Sequence, residues 1–196
     1  MEWLRFAKEY VASPKLVGGF APSSRRLGEV ITETASVRDA SVVVEFGPGT
    51  GVFTEIIARK LKAGAKFVAI EIREDFVKAV RKRCPGVNVV HGSAADARRI
   101  LEGMGLDGCD CIVSGLPFAL FEDALQDAIL DAAQDVLTPG GVFVTFTYFL
   151  AHRLPRGMKL HRKLEQRFGR VQTAPVVWLN VLPAFAYRAV KQKGVS

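Results

Sequence analysis

The sequence is poor in cysteine, and its cysteines do not form a metal or disulfide pattern. Cys84, Cys109 and Cys111 are an odd number of thiols and lack the CxxC spacing of a metal site. Cys109 and Cys111 lie in an apolar run, where a thiol behaves as a small buried hydrophobe. We therefore expect neither a metal centre nor a redox role.

Long uninterrupted apolar runs are also missing. The longest, such as VFVTFTYFL, are much shorter than the ~20 residues of a membrane-spanning helix. No charged-then-apolar leader ends in a small-residue cleavage site. At 196 residues and 49% hydrophobic content, the chain is long enough for one folded domain, which we expect to be a cytoplasmic monomer.

Acidic residues are nearly missing from the end of the chain. Residues 151–196 hold ten Lys and Arg against the one acid Glu165, so they carry +9 while residues 1–150 carry −2. This surplus predicts an anionic partner, whether nucleic acid, a lipid surface or a phosphorylated substrate. A charged surface that only keeps the protein soluble is the alternative.

From residue 41 onward, apolar runs alternate with amphipathic segments, which predicts a largely parallel sheet with helices on both faces. The predicted strands are 41–46, 66–71, 87–91, 110–115 and 141–148, and the predicted helices are 51–63, 74–84, 95–104 and 122–137. After residue 148, a basic helix at 157–168 precedes two extended runs, 171–181 and 184–192. These runs predict a terminal antiparallel pair.

Residues 1–40 are predicted to form an N-terminal helical appendage, and residues 41–196 the main domain. Within residues 1–12, apolar side chains including Trp3 and Tyr10 recur at helical spacing. This helix either packs on the sheet or lies in a membrane interface, because at ~16 Å it is too short to cross a bilayer.

A glycine-rich turn, EFGPGTG, follows the first strand. Gly47, Gly49 and Gly51 allow a tight turn and close approach of a ligand. The spacing is GxGxG, neither the GxGxxG of dinucleotide sites nor a Walker loop ending in Gly-Lys-Ser/Thr. Glu45 before the turn would repel a phosphate and suit a cation.

The next strand ends supply the rest of a nucleoside site. Glu71 can accept hydrogen bonds from both ribose hydroxyls, and Ile72 can cover one face of an adenine. Ser93 and Ala94 follow the third strand, where backbone and hydroxyl groups can meet the adenine edge. A nucleoside with a cationic, phosphate-free tail fits this arrangement, namely S-adenosylmethionine.

The motifs EFGPGTG, AIE, HGSAAD, SGLPF and LTPGG, in this order, resemble class I S-adenosylmethionine-dependent methyltransferases. With APSSRRL and NVLPAFAYR, nearly the whole chain is similar to bacterial phospholipid N-methyltransferases. The resemblance implies a Rossmann-like fold with a seven-stranded, mostly parallel sheet, and methylation of a lipid amine such as that of phosphatidylethanolamine. One departure is Ser93, where the family usually has Asp, which predicts weaker cofactor affinity.

The resemblance also assigns roles around the substrate. APSSRRL can lie across the cofactor pocket, with Ser23 and Ser24 bonding the methionyl carboxylate or capping a helix. In the SGLPF loop, Ser114 and Gly115 border the reacting amine, and Leu116 and Phe118 line a route for a lipid. The related ribosomal RNA adenine dimethyltransferases use an Asn-Leu-Pro-Tyr type loop. Because Gly115 stands in place of that amide, the loop favours lipid over a flipped base.

The amine must lose a proton to react, and Tyr148, His91 or a water chain can accept it. A substrate phosphate can be held by arginine, for which Arg153, Arg156 and Arg188 are candidates. We expect a peripheral enzyme on an anionic membrane surface, at the inner face of the cell membrane, with nucleic acid not a partner. RNA N-methylation and a cofactor-binding module without catalysis are the alternatives.

Overall fold

A computed structural model of the protein describes residues 24–153, 155–180 and 182–192. Within these residues, seven strands form one sheet in the order β3-β2-β1-β4-β5-β7-β6. The first five are parallel, whereas β7 is antiparallel to both of its neighbours. Their bounds are β1 Val42–Phe46, β2 Lys66–Glu71, β3 Asn88–His91, β4 Cys109–Ser114, β5 Leu137–Tyr148, β6 Val171–Thr173 and β7 Ala184–Val190.

Helices cover both faces of the sheet, as the apolar strands predict. In the described part of the chain they are α1 Arg25–Thr34, α2 Val52–Lys60, α3 Glu74–Arg83, α4 Ala97–Glu102, α5 Asp123–Val136 and α6 Pro155–Phe168. Helices α1, α2 and α3 pack on one face through residues such as Ile31, Ile57 and Val80. Helices α4, α5 and α6 cover the other through Leu101, Ile129 and Leu164. The predicted fold class is confirmed.

The terminal antiparallel pair is confirmed, but β6 is much shorter than the predicted run 171–181. After Thr173, the chain pairs with β7 only at the Ala174 N–H and at the Val177–Ala184 bridge. Pro175 has no N–H to donate, so it interrupts the ladder. Residues 174–180 and 182–183 consequently lie in a loop between β6 and β7.

Helix α1 belongs to the predicted appendage and packs into the main core. Its apolar side chains Leu27 and Ile31 are fully buried against the sheet. Ser24 caps its N-terminus by accepting a hydrogen bond from the Leu27 N–H at 3.2 Å. Where the domain begins stays a prediction, and the amphipathic segment 1–12 lies outside the described residues.

Many cations of the basic C-terminal segment face the acids of α5. Lys159 pairs with Asp123, and Lys163 donates to Asp127 at 3.0 Å. Arg167 reaches Asp127 at 2.9 Å and Asp131 at 2.6 Å. Three of the ten C-terminal cations therefore join α6 to α5 and are not displayed as a free anion-binding surface.

No helix in the described ranges is both long and apolar enough to cross a bilayer. Those ranges also hold no group of three or more His, Cys, Asp or Glu placed to bind a metal ion.

Candidate active site

The glycine turn between β1 and α2 is held at the carboxyl edge of the sheet. Gly47, Gly49 and Gly51 all have positive φ, 69°, 55° and 83°, so each depends on the absence of a side chain. The Gly47 N–H donates to the Ile70 carbonyl at 2.9 Å. A Cβ on Gly49 would meet nothing within 4 Å, which leaves open space over the middle of the turn.

Glu71, at the end of β2, orders the same turn. Its Oε2 accepts from the Gly49 N–H at 3.1 Å, and its Oε1 accepts from the Arg73 N–H at 2.9 Å. Burial raises the pKa of this carboxyl, while the backbone N–H donors oppose the rise. Each carboxylate oxygen keeps lone-pair capacity, so Glu71 fits the predicted ribose-binding role.

Glu45 lies on the face covered by α2 and is fully buried. Its Oε2 accepts from the Thr54 hydroxyl at 2.7 Å, whereas Oε1 has no hydrogen-bond partner among the described residues. Burial raises the pKa of Glu45 to about 8, the nearby Glu71 adds to the rise, and the Thr54 hydrogen bond opposes it. A buried, half-satisfied carboxyl beside the turn fits a cationic ligand group better than a phosphate.

The β3 end brings Ser93, Ala94 and His91 to the same edge. Ser93 Oγ accepts from the Ala95 N–H at 3.2 Å and so caps a short 3₁₀ turn, Ala94–Asp96. Both Ser93 and Ala94 are buried. His91 Nε2 lies 2.9 Å from the carbonyl oxygen of Ile72, so it carries the proton in this contact and ties the two loops together. This contact favours a structural role for His91 over proton acceptance.

The loop after β4 packs directly on the glycine turn. Ser114 is fully buried, and its Oγ accepts from the Leu116 N–H at 3.3 Å. A Cβ on Gly115 would lie 2.5 Å from the Gly47 carbonyl oxygen, and one on Gly47 would lie 2.4 Å from Leu116 Cδ2. The glycine at 115 is thus required by the close approach of two loops, and Leu116 covers the turn.

Phe118 corrects the sequence prediction, because it does not line a substrate route. The residue is 1% exposed, and its ring packs 5.9 Å from Phe121 and 6.3 Å from Phe143, centroid to centroid. A 3₁₀ turn, Phe118–Leu120, directs the ring inward to the core beneath α5. Residue spacing in the loop could not indicate that direction.

Tyr148 ends β5 at the same edge and is half-buried. Its ring meets Phe146 edge-on at 5.7 Å. Burial raises the pKa of its hydroxyl above the usual value of 10. The hydroxyl therefore stays protonated at neutral pH, so it can orient a substrate amine but is a poor proton acceptor.

Asn180 is a residue that the sequence prediction missed. It is buried, its Oδ1 accepts from the Ser24 N–H at 2.9 Å, and its Nδ2 donates to the Leu182 carbonyl at 2.8 Å. The side chain thereby connects the start of α1 to the β6–β7 loop. A single polar residue within the apolar run VVWLNVLP is the signal that could have identified it. Ser23 lies outside the described residues.

The predicted arginines are dispersed. Arg153 is exposed after β5, with its guanidinium 5.6 Å from the centre of the Phe149 ring. Arg156 falls in the first turn of α6. Arg188 is a correction: it pairs in register with Val144, four residues before the carboxyl end of β5. Its guanidinium donates to the Thr34 carbonyl at 3.1 Å and to Gln172 at 3.3 Å, which gives it a structural role.

A cavity of about 520 Å³ adjoins this edge, between α6 and the β6–β7 hairpin. Its walls include aromatic rings of Phe149, Phe185 and Tyr187, and its polar groups include His161 and Arg162. The sequence prediction missed this cavity, because its walls come from separate segments of the chain.

The chain is similar to a known protein family and to individual proteins. Residues 43–141 match the model of a family described as a methyltransferase domain. An ornithine lipid N-methyltransferase of Singulisphaera acidiphila is 29% identical over 97% of this chain and 98% of its own length. A ribosomal RNA small subunit methyltransferase A of Myxococcus xanthus is 40% identical, but over only 34% of this chain and 23% of that protein.

Among solved structures, the O-methyltransferase TomG of Streptomyces achromogenes in complex with S-adenosylmethionine superposes with a TM-score of 0.66. It is 22% identical, and the match covers 94% of this chain and 86% of TomG. Similarity at this level of identity supports the fold.

Proposed function

The chain belongs to the methyltransferase-domain family and its cofactor is S-adenosylmethionine, and from this premise we propose that it methylates the head-group amine of a membrane lipid. Phosphatidylethanolamine is the acceptor that the sequence resemblance favours, with methylation leading towards phosphatidylcholine. An amino-acid lipid is the second candidate, because an ornithine lipid N-methyltransferase is similar to this chain over almost the full length of both proteins.

At the carboxyl edge of the sheet, one set of residues would bind the cofactor and another set would bind the substrate amine. The glycine turn and Glu71 would hold the nucleoside, and Glu45 would face its positive charge. When bound, S-adenosylmethionine supplies an electrophilic methyl group on a sulfonium. Ser114, Gly115 and Tyr148 would place the amine nitrogen in line with that methyl, and positioning of this kind is worth up to ~7–11 kcal/mol.

Proton removal is assigned to water. Nε2 of His91 is committed to the Ile72 carbonyl, and burial raises the pKa of the Tyr148 hydroxyl, so neither this imidazole nitrogen nor the phenol takes the proton from an ammonium. We therefore expect the lipid amine to enter the site in its neutral form. A contact between the amine and the Tyr148 hydroxyl would then orient the nitrogen lone pair. Activity should rise with pH as the lipid amine deprotonates.

The observation that carries the lipid proposal is the packing of Gly115 against Gly47. At 2.5 Å from the Gly47 carbonyl oxygen there is no room for a side chain on Gly115, so this loop cannot present an amide to a nucleobase. The similarity to ribosomal RNA small subunit methyltransferases A covers 34% of this chain for one relative and 63% for another, against 97% for the ornithine lipid enzyme. Both points support a lipid acceptor over an RNA base.

Lipid analysis after expression tests the proposal. A bacterium that makes phosphatidylethanolamine but no methylated derivative should acquire mono-, di- or trimethylated lipids, detected by mass spectrometry. A Glu71→Ala variant should produce none, because it loses the ribose contact and the support for Gly49.

A direct assay separates the candidates. Purified protein with labelled cofactor is offered vesicles containing phosphatidylethanolamine, vesicles containing ornithine lipid, or total RNA. Label in either lipid supports the proposal and identifies the acceptor. Label in RNA alone would refute it, and no label in any arm despite cofactor binding would favour a binding module.

A further inference from the structure

Four large apolar side chains that are more than half exposed lie beside the active-site edge. Leu150 is 75% exposed, Trp178 64%, Leu179 77% and Leu182 53%. They come from two loops, residues 149–153 after β5 and residues 174–180 with 182–183 between β6 and β7. We name these four residues the apolar patch.

The two loops of the patch are joined to each other. The Phe149 N–H donates to the Pro183 carbonyl at 2.8 Å, and the Phe149 ring lies 5.3 Å from the Trp178 ring. Asn180 fixes the second loop from within and binds the Ser24 backbone. The apolar side chains are therefore presented on a supported surface, and burying them needs little further ordering of the chain.

The charge around the patch indicates what covers it. Residues 149–153 and 174–183 contain no acid. Arg153 is exposed, lies over the Phe149 ring, and has no carboxylate partner within the described ranges. Arg162 in α6 is also exposed and lines the adjoining cavity, where the acid Glu165 pairs with His161 and not with Arg162. Lipid phosphates would meet these guanidinium groups while the leucines enter the acyl boundary.

We propose that the apolar patch is the membrane-docking surface of the enzyme, inserted into the head-group region of a bilayer containing anionic lipid. The inference rests on the proposed lipid acceptor and identifies the surface through which the enzyme reaches it. Phe149 directly follows Tyr148, so a bilayer seated on the patch meets the carboxyl edge of β5. A lipid amine could then enter the site without leaving the membrane.

Tryptophan fluorescence tests the contact directly. The chain has two tryptophans, so a Trp3→Phe background leaves Trp178 as the reporter. Vesicles of phosphatidylethanolamine and phosphatidylglycerol should shift its emission to the blue, and brominated lipids should quench it. Unchanged Trp178 emission at vesicle concentrations that bind the protein would overturn the proposal.

A matched pair of variants tests the energetics in the full chain. Leu179→Asp should weaken binding to these vesicles by about tenfold or more, because a charge replaces an inserted leucine. Met104→Asp is the control: Met104 is 38% exposed and precedes β4, at the opposite edge of the sheet. It should bind vesicles as the wild type does. Equal cofactor affinity in all three proteins verifies that they are folded.

Activity on two forms of substrate separates this proposal from the proposed function. Leu179→Asp should lose methylation of vesicle lipid but keep that of a monomeric short-chain phosphatidylethanolamine. If the variant binds vesicles normally, or only changes self-association, the docking proposal is wrong. If the wild type docks through the patch yet methylates neither lipid, docking stands and the proposed function fails.

Discussion

Two buried carboxyl groups lie under one glycine turn, and their environments differ. Both oxygens of Glu71 accept backbone hydrogen bonds, from Gly49 and Arg73. Glu45 has one hydrogen-bonded oxygen and one without a partner among the described residues. A buried charge is costly unless it is paired, so Glu45 is the residue at which cofactor binding and folding stability oppose each other.

We predict that Glu45→Gln stabilises the cofactor-free protein above neutral pH. The folded pKa of Glu45 is about 8, against an ordinary value of 4.5. Between these values the folded state holds more protons than the unfolded state, so wild-type stability falls as pH rises through this window. Glutamine keeps an acceptor for Thr54 and has no proton to lose.

Thermal unfolding from pH 5 to pH 9 checks this prediction. The variant should gain on the wild type as pH rises and be more stable by at least ~1 kcal/mol at pH 8, a shift of about 2–4 °C. Above pH 8, where wild-type Glu45 is ionised, the variant should also bind S-adenosylmethionine more weakly, by about tenfold, because a negative charge facing the cation is lost. A constant difference across the pH range would contradict the assignment.

Helices α5 and α6 are held together by a seam of charges. The α6 cations Lys159, Lys163 and Arg167 face the α5 acids Asp123, Asp127 and Asp131. Lys163 is buried, and it also donates to the Asp123 carbonyl at 3.0 Å. Lys159 pairs with the carboxylate of the same Asp123 and is half exposed. The seam fixes α6 on α5, while other α6 residues, among them Met158 and Arg162, line the cavity.

We predict unequal effects of removing the two lysines. Lys163→Ala should lower the free energy of unfolding by about 1.5–3 kcal/mol, because it removes a buried charged donor that binds both the Asp123 carbonyl and the Asp127 carboxylate. Lys159→Ala should lower it by less than ~1 kcal/mol, as is usual for a solvent-exposed pair. Urea denaturation of both variants and the wild type measures the difference. Equal losses would mean that burial of Lys163 adds nothing.

Over the whole molecule, the net charge is +7, and the fold brings acids and bases together that are far apart in the sequence. The acids that balance the C-terminal cations are supplied by α5, which precedes them in the chain. Arg188 and Lys191 are also occupied, by backbone carbonyls of Thr34, Gln134 and Leu137. Arg153 and Arg162, near the apolar patch, are among the cations that have no ion pair in the described part of the chain and can meet a membrane.

We predict that Arg153 and Arg162 account for much of the attraction to anionic vesicles. Replacing both by glutamine should weaken binding about thirtyfold at low salt, since each cation near an anionic surface contributes ~1 kcal/mol. The matched control replaces Lys62 and Lys66, exposed residues at the opposite edge of the sheet, and should have little effect. Vesicle co-sedimentation at two salt concentrations is the measurement. Similar losses in both double variants would indicate a general charge effect.

Local patterns were enough to predict the fold and the cofactor. Apolar β–α alternation predicts a parallel sheet covered on both faces, and the carboxyl ends of its strands must meet at one edge. The GxGxG turn and Glu71 therefore come together in the structure as their order along the chain indicates, with the Gly49 N–H bound to Glu71. The similarity of nearly the whole chain to a lipid N-methyltransferase is likewise a property of sequence alone.

Only the tertiary structure decided which side chains near that edge face inward, and which cations remain unpaired. Phe118 turns into the core, and Arg188 binds the end of α1. The SGLPF loop needs a glycine at position 115 because it packs against Gly47. The apolar patch forms because Pro175 interrupts a strand and the resulting loop meets another that follows β5. Each outcome depends on contacts between distant segments, and the spacing of residues along the chain does not encode them.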